Sequence, residues 1–408
     1  MKTISKIAIA SLLGVSVTAC GSPISTSSSG GASVNQNAQG VTKTEITVGT
    51  WGPLTGQFAA YAVVSQGANA YFNYINHNGG INGRKIKFKI YDDQYQPDKS
   101  VTAAKQLVAD KIFAAVAPLG TANNQAADPI LSKQGIPILG IATGSSEWGF
   151  PLKKNVFGLQ PTYTAEGHIM TKFAVKHNHA KTIGVFYQND DFGKEELMAI
   201  EQEAKQEGAK VIAKVAYSRG DTDYSSYALT MKQTNPDAVF EVGVPAPLAQ
   251  FEKGIANLGW HPQQYITYVS GDPVMFRLAG QAFDKVYTPS WLKNLHDPQV
   301  KDFITEYKKD YPNTPPTGLA LSGWIDAQVF AEAVKRCGNN LSWSNFEKQM
   351  ESIHNYTDTA SSEPVSYSST NHQGVQSMSI TQADFAAKDF KTIEPSIAYQ
   401  QTDNPLKK

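Results

Sequence analysis

The sequence predicts an α/β fold in which two doubly wound parallel-sheet units follow one another. Two observations predict it. From Glu45 onward, short runs rich in Val, Ile, Tyr and Phe alternate with amphipathic helical stretches, the pattern of a parallel sheet covered by helices. The chain is also 408 residues long with 41% apolar side chains, enough for two separate cores.

In order, "EITVGT" leads into a helix through "YAVVSQGANAYFNYINHNGG", and "KIKFKIY" leads into "PDKSVTAAKQLVADK". "FAAVAPLG" then leads into "ANNQAADPILSKQG", and "IPILGIA" closes the first set. The second set opens with the helix "TAEGHIMTKFAVKHNHA", the strand "KTIGVFYQND" and the helix "FGKEELMAIEQEAKQEGA", whose Glu/Lys pairs sit at helical spacing on its exposed face. "KVIAKVAYS", "SSYALTMKQTN", "PDAVFEVGV", "PLAQFEKGIANLG" and "QYITYVSG" continue the alternation. Beyond residue 288 the pattern turns helical, through "PQVKDFITEYKKDYP", "GLALSGWIDAQVFAEAVKRCG" and "SWSNFEKQMESIHNY". A serine-rich stretch separates these from a short β-like finish, "VQSMSITQAD". The helices are expected to cover the first unit and the terminal strands to extend the second. Ligands of open parallel sheets bind beyond the carboxyl ends of the strands. That singles out "GTWGPLTG", "APLGTANN", "GIATGSS", "YQNDDFG", "VGVPAP" and "VSGDP".

The amino terminus is a separate matter. Lys2 and Lys6 precede the apolar run "IAIASLLGVSV", which ends in "TAC". This reads as an export signal, too short for the roughly 20 residues that span a bilayer. Residues 21–40 are rich in Ser, Gly, Asn and Gln and cannot bury enough apolar area to fold. A flexible tether is expected to reach residue 44. Lys and Arg number 36, balancing 36 Asp and Glu, so charge does not call for nucleic acid or an anionic surface as partner. The second cysteine, Cys337, falls on the apolar face of a helix and reads as a small core residue.

The run "TVGTWGPLTGQFAAYA" places three glycines between a strand and a helix. It fits neither the phosphate-loop spacing GxxxxGK[ST] nor the dinucleotide pattern GxGxxG. GxSxG, HExxH and paired Cys/His ligand spacing are likewise missing. The acids Asp92, Asp93, Asp190 and Asp191 sit at strand ends, where capping explains them as well as acid–base work does. His177 and His179 form an HxH among lysines that reads as a solvated helix end. No enzyme activity, metal or cofactor is expected.

The ordered set "GPLTG" (52–56), "INHNGGINGRKIKFKIYDD" (75–93), "LGTANNQAADPILSKQGIPIL" (119–139), "YQNDDFGKE" (187–195), "GLALSGWIDAQVFAEAV" (318–334) and "HQGVQSM" (372–378) resembles the branched-chain amino acid class of substrate-binding proteins of bacterial ABC importers, with the type I periplasmic binding fold. The likeness runs from about residue 45 to 384. "VTACGS" resembles a lipobox, which would make Cys20 the lipidated first residue, residues 1–20 the signal and 21–44 the tether. The resemblance implies two lobes joined by a three-strand hinge, 45–161 with 289–362 and 162–288 with 363–400. A solute would lie between them, with ABC permease subunits as partners and an extracytoplasmic, lipid-anchored location.

A free amino acid presents a carboxylate, an ammonium and a side chain. By the same resemblance Thr121 supplies a hydroxyl to the carboxylate; its plain alternative is a helix N-cap. Ala142 and Gly144 would contact the solute through backbone atoms, with Thr143 or Ser145 adding a hydroxyl. The related pattern has threonine where this chain has Gly144. Tyr61 would flank the bound side chain, and Phe192 would cover it from the second lobe. Asp272 falls where relatives carry the acidic partner of the ammonium, and its alternative is an Asx-turn before Pro273. Val244 and Pro245 stand where relatives often have tyrosine. Tyr95 and Gly120 occupy places where some relatives have a disulfide. The expected function is delivery of an amino acid or similar small carboxylate to a permease. The alternatives are a ligand-sensing receptor subunit, which would be expected to carry a spanning segment not seen before Lys408, or import of amide, urea-type or aromatic acid solutes.

Overall fold

The computed structural model describes residues 37–357, 359–401 and 404–407. The signal stretch, Cys20 and most of the expected tether lie outside these residues. Residues 37–44 do not continue the tether. Ala38 donates to the Leu341 carbonyl, Asn37 accepts from the Leu341 amide and Gln39 donates to the Ile112 carbonyl, so residues 37–39 are already tied to the folded body ahead of the first strand.

The first sheet holds β1 (Glu45–Gly52), β2 (Lys85–Asp92), β3 (Ala114–Val116), β4 (Ile138–Leu139) and β5 (Val156–Phe157). They run parallel in the order β2-β1-β3-β4-β5. Helices α1 (Ala62–His77), α2 (Pro97–Ala109) and α3 (Thr121–Ser132) connect them. The second sheet repeats that winding with β6 (Thr182–Gln188), β7 (Lys210–Tyr217), β8 (Ala238–Val242), β9 (Gln263–Ile266) and β10 (Tyr287–Ser290), in the order β7-β6-β8-β9-β10. Its connections are α5 (Asp191–Gln206), α6 (Ser225–Thr234), α7 (Pro245–Asn257) and α8 (Val274–Leu278), and α4 (Tyr163–Lys176) precedes β6. In each sheet the order reverses beside its first strand, so the carboxyl ends of β1 and β3, and of β6 and β8, open a crevice.

The chain passes between the sheets three times: after β5, after β10 and before β11 (Ser377–Asp384). The passing segments pair with one another, Leu292 with Ser361 and Gly158 with Gln373. Between the second and third passages lie α9 (Lys301–Asp310), α10 (Gly318–Cys337) and α11 (Trp343–Glu351), which cover the first sheet as the apolar patterning predicts. Trp343 donates its indole N–H to the Phe113 carbonyl at 2.9 Å. Helix α10 lies so close to α1 that a Cβ on Gly67 would stand 1.8 Å from the Ala320 carbonyl oxygen, and one on Gly323 would stand 1.9 Å from that of Val64. No side chain fits at either crossing point, and the Cys337 thiol is buried at the far end of α10.

The second sheet continues with β11, antiparallel to β10, and β12 (Asp389–Ala398), antiparallel to β11. Strand β12 is not legible in the sequence, because "DFKTIEPSIA" lacks an unbroken apolar alternation and contains Pro395. An edge strand tolerates both. The short strands β5 and β10 were not anticipated either: two to four residues bordering loops leave too little periodicity to recognise. Helix α4 ends at Lys176, with His177 as its C-cap, so the "HNHA" segment expected to continue the helix lies beyond it.

Candidate functional site

A cavity of about 60 Å³ sits where the carboxyl ends of the two sheets meet. Many of its wall residues arrive from loops or helix starts that follow a strand. Tyr61 follows β1, Gly120 and Thr121 follow β3, and Ala142 follows β4; from the other sheet, Phe192 follows β6, Val244 follows β8 and Asp272 follows β9. Thr143 and Gly144, expected beside them, lie one layer behind the wall.

One end of the cavity is the start of α3. Its N-cap is Gly120, at φ +97°, with no side chain capping the helix. Thr121 is therefore the first helical residue and not the cap, and its hydroxyl points elsewhere, to Thr143 Oγ1 at 2.7 Å. The first-turn N–H groups of a helix have no partner within it, so this end offers donors and the positive pole of the helix dipole. The layer behind holds it in place. Thr143 donates to the Tyr163 hydroxyl at 3.3 Å and accepts from the Ser145 amide at 3.2 Å. The Gln160 amide oxygen, turned toward them, accepts from the Thr143 and Gly144 amides at 3.1 and 3.0 Å. A Cβ on Gly144 would lie 2.3 Å from the Tyr268 hydroxyl. The threonine of the related pattern has no room there, and the tyrosine occupies its space. Gly120 is similarly tied to Tyr95, whose ring a Cβ would approach to 2.8 Å.

At the other end lies Asp272, buried. Its Oδ1 accepts from the Val274 amide at 2.8 Å, closing an Asx-turn, and its Oδ2 accepts from the Leu319 amide at 3.1 Å in the first turn of α10. Burial raises its carboxyl above the ordinary range, against the lowering effect of those amides. Between the two ends the walls are aromatic. Tyr163 packs on Phe192 with centroids 4.4 Å apart, and Tyr61 stacks on Tyr95 at 6.3 Å. Among the described residues, the buried Tyr61 hydroxyl has no hydrogen-bond partner. Among the described residues, no Lys, Arg or His lines the cavity.

Several polar links across the crevice have no signature in the sequence. Arg219, in the loop after β7, donates to the Tyr95 carbonyl at 3.1 Å and to Asp190 at 2.7 Å. Gln125 of α3 donates to Asp191 of α5 at 2.9 Å. Glu195 of α5 accepts from the Ser146 amide at 3.0 Å and from the Ser146 and Thr164 hydroxyls; burial pushes its carboxyl up to about 7. An arginine in "YSRGDTD" and a glutamate in "GKEEL" look solvated in sequence, and only the meeting of the two sheets gives them partners. The acids weighed for acid–base work are occupied structurally. Asp92 accepts from the Leu54 and Gln94 amides, Asp93 from Ser100 and Asn123, and Asp190 caps α5. Among the described residues, no group of three or more His, Cys, Asp or Glu is placed to hold a metal ion, and no helix is long and apolar enough to cross a membrane.

Comparison with known proteins places this geometry. The periplasmic binding protein family profile matches residues 45–389. Leu/Ile/Val-binding protein homolog 3 of Brucella melitensis is 26% identical over 302 residues, spanning 72% of this chain and 80% of its own. Among solved structures, a fatty acid ABC transporter substrate-binding protein from Thermomonospora curvata superposes with a TM-score of 0.83 at 19% identity, covering 91% of this chain and 97% of its own. A solute binding protein of an ABC transporter from R. palustris, in complex with benzoate, gives 0.77 at 19% identity over 87% and 98%. With two repeated sheets, a crevice at their carboxyl ends and a matching profile over most of its length, the chain belongs to the periplasmic binding protein family, a family of solute-binding proteins and not of enzymes.

Proposed function

We propose that the protein is the solute-binding component of an ABC importer, and that it holds a small carboxylate, an amino acid first, between two lobes before passing it to permease subunits. The observation that carries this reading is the uncapped start of α3 at Gly120–Thr121, opening into a cavity whose lining has no cation. Anions suit such helix starts. Asp272 at the opposite end suits an ammonium, since a buried carboxylate and a buried amine each need the other. The relatives named for Leu/Ile/Val, fatty acid and benzoate all point to solutes bearing a carboxylate.

The lobes in this reading are 45–161 with 289–362 and 162–288 with 363–400, supported by the three passages between sheets. The basic start, the apolar run and "TAC" support export and lipid attachment at Cys20, with the following residues as a leash on the outer side of the membrane.

A second reading is favoured by Asp272 itself. Both its oxygens already accept backbone amides, and burial favours its neutral form, which suits a carboxylate lacking an amine. Thermal-shift and calorimetric titration of leucine against 4-methylpentanoate, and of phenylalanine against benzoate, separates the two. A ligand at a hundred times its dissociation constant adds about 2.7 kcal/mol of stability, a readily measured shift. Response to the amino acid alone supports the first reading, and response to the acid alone the second. Response only to urea or amides would sink both.

A further inference from the structure

The cavity is small for the solutes just considered. It measures about 60 Å³, against the roughly 150 Å³ of an engineered apolar cavity that holds benzene. A leucine or phenyl side chain therefore needs more room than the closed wall provides. That room lies next door. A vestibule of about 620 Å³ opens on the other side of Tyr61, Val244, Asp272 and Leu319, and these four residues line both spaces. Its sides are mostly apolar and come from both halves of the molecule: Phe58, Ala60 and Pro316 face Ala246, Val274 and Leu278. Tyr61 belongs to the shared wall, and among the described residues its buried hydroxyl has no partner. A polar group left bare in a wall is consistent with a wall that is complete only when a ligand touches it.

We propose that the vestibule is a second, apolar subsite of the same solute site, taking the hydrocarbon chain or ring of a carboxylate whose head group sits at Gly120–Thr121. The assignment rests on the carboxylate reading above. It adds that the solute is longer than the cavity and passes between Tyr61 and Asp272, with the Tyr61 hydroxyl meeting its polar end. The occupant is hydrocarbon because the vestibule is mostly apolar, and part of the solute because the two spaces share a wall.

The test is a chain-length series on the full chain, measured by calorimetric titration: propanoate through octanoate, and alanine through 2-aminooctanoate. Each methylene buried in the vestibule adds about 0.8 kcal/mol, or roughly a fourfold gain in affinity, so one series or both should tighten stepwise well past the length of leucine. Short members that bind, followed by a flat or falling trend from four carbons on, would overturn the subsite and leave the small-carboxylate reading standing. No binding at any length in either series would overturn both. In Ala246→Trp, which fills the vestibule from α7, the octanoate-to-propanoate affinity ratio should fall toward one. An unchanged ratio in a variant that melts cooperatively would count against the subsite.

Discussion

The guanidinium of Arg219 lies 4.3 Å from the centre of the Tyr95 ring while its Nη1 donates to the carbonyl of that same tyrosine at 3.1 Å. Arg219 follows β7 of the second sheet and Tyr95 follows β2 of the first, and Tyr95 also lines the cavity. One side chain thus grips a cavity wall by its face and its backbone, with Asp190 holding the other edge of the fork at 2.7 Å. Arg219→Ala is expected to weaken solute affinity about tenfold or more, because a hydrogen bond to a charged group contributes about 1.5–3 kcal/mol and is made when the halves meet. Arg219→Lys should recover little of the loss, since an ammonium has no planar fork to reach both partners. Titration of the two variants side by side checks this; full recovery by lysine would show that charge alone matters.

Asp272 joins the halves from the other flank, through the Leu319 amide. Asp272→Ala is expected to weaken binding of amino acids and of their amine-free counterparts if the carboxylate acts by holding α10, and of amino acids alone if it holds the ammonium. The two titration series on the variant decide between these roles.

Thr121 is the first residue of α3 and its hydroxyl meets Thr143. Thr121→Val keeps the shape and removes the hydroxyl. Affinity for a carboxylate should drop roughly tenfold, equivalent to about 1.4 kcal/mol. The melting temperature without solute should move by only a few degrees, because the Thr121 hydroxyl does not cap the helix.

The second half buries carboxyls in pairs. Glu166 and Glu196 lie together near Thr267, and Glu241 and Glu252 share Gln264. Burial pushes Glu166 and Glu252 up to about 8. For a carboxyl raised in this way the folded form prefers the proton, so its penalty is absent below the unfolded value near 4.3 and grows as pH climbs to the folded value. Stability should therefore fall steadily from about pH 5 to pH 8 or 9. Exposed acids with lowered values, such as Asp237, act in the opposite sense only below about pH 4. Melting curves across this range check the trend, and Glu252→Gln should flatten it. A maximum near pH 8 would contradict it.

Gly67 and Gly323 let α1 and α10 touch backbone to backbone. Gly67→Ala is expected to cost about 3 kcal/mol or more, at the upper end of overpacking effects, because the obstacle is a carbonyl oxygen and not a side chain that can turn away. Denaturant unfolding measures it.

The alternation of strands and helices made both windings legible, and the polar strand ends marked the crevice. Tyr61, Thr121, Ala142, Phe192 and Asp272 all reach the cavity wall. Thr143 and Gly144 do not, because which of several adjacent loop residues faces inward depends on Gln160 and Tyr268, far away in sequence. Arg219 and Tyr163 were not legible as site residues, since nothing local distinguishes them from ordinary loop or helix residues until the second half folds against the first.

The outermost strand of the larger sheet carries Lys391, Glu394 and Pro395 along its open side. A proline withholds an amide, and a charge at such a border resists being covered. Two copies meeting side by side therefore gain little from continuing one another's sheet.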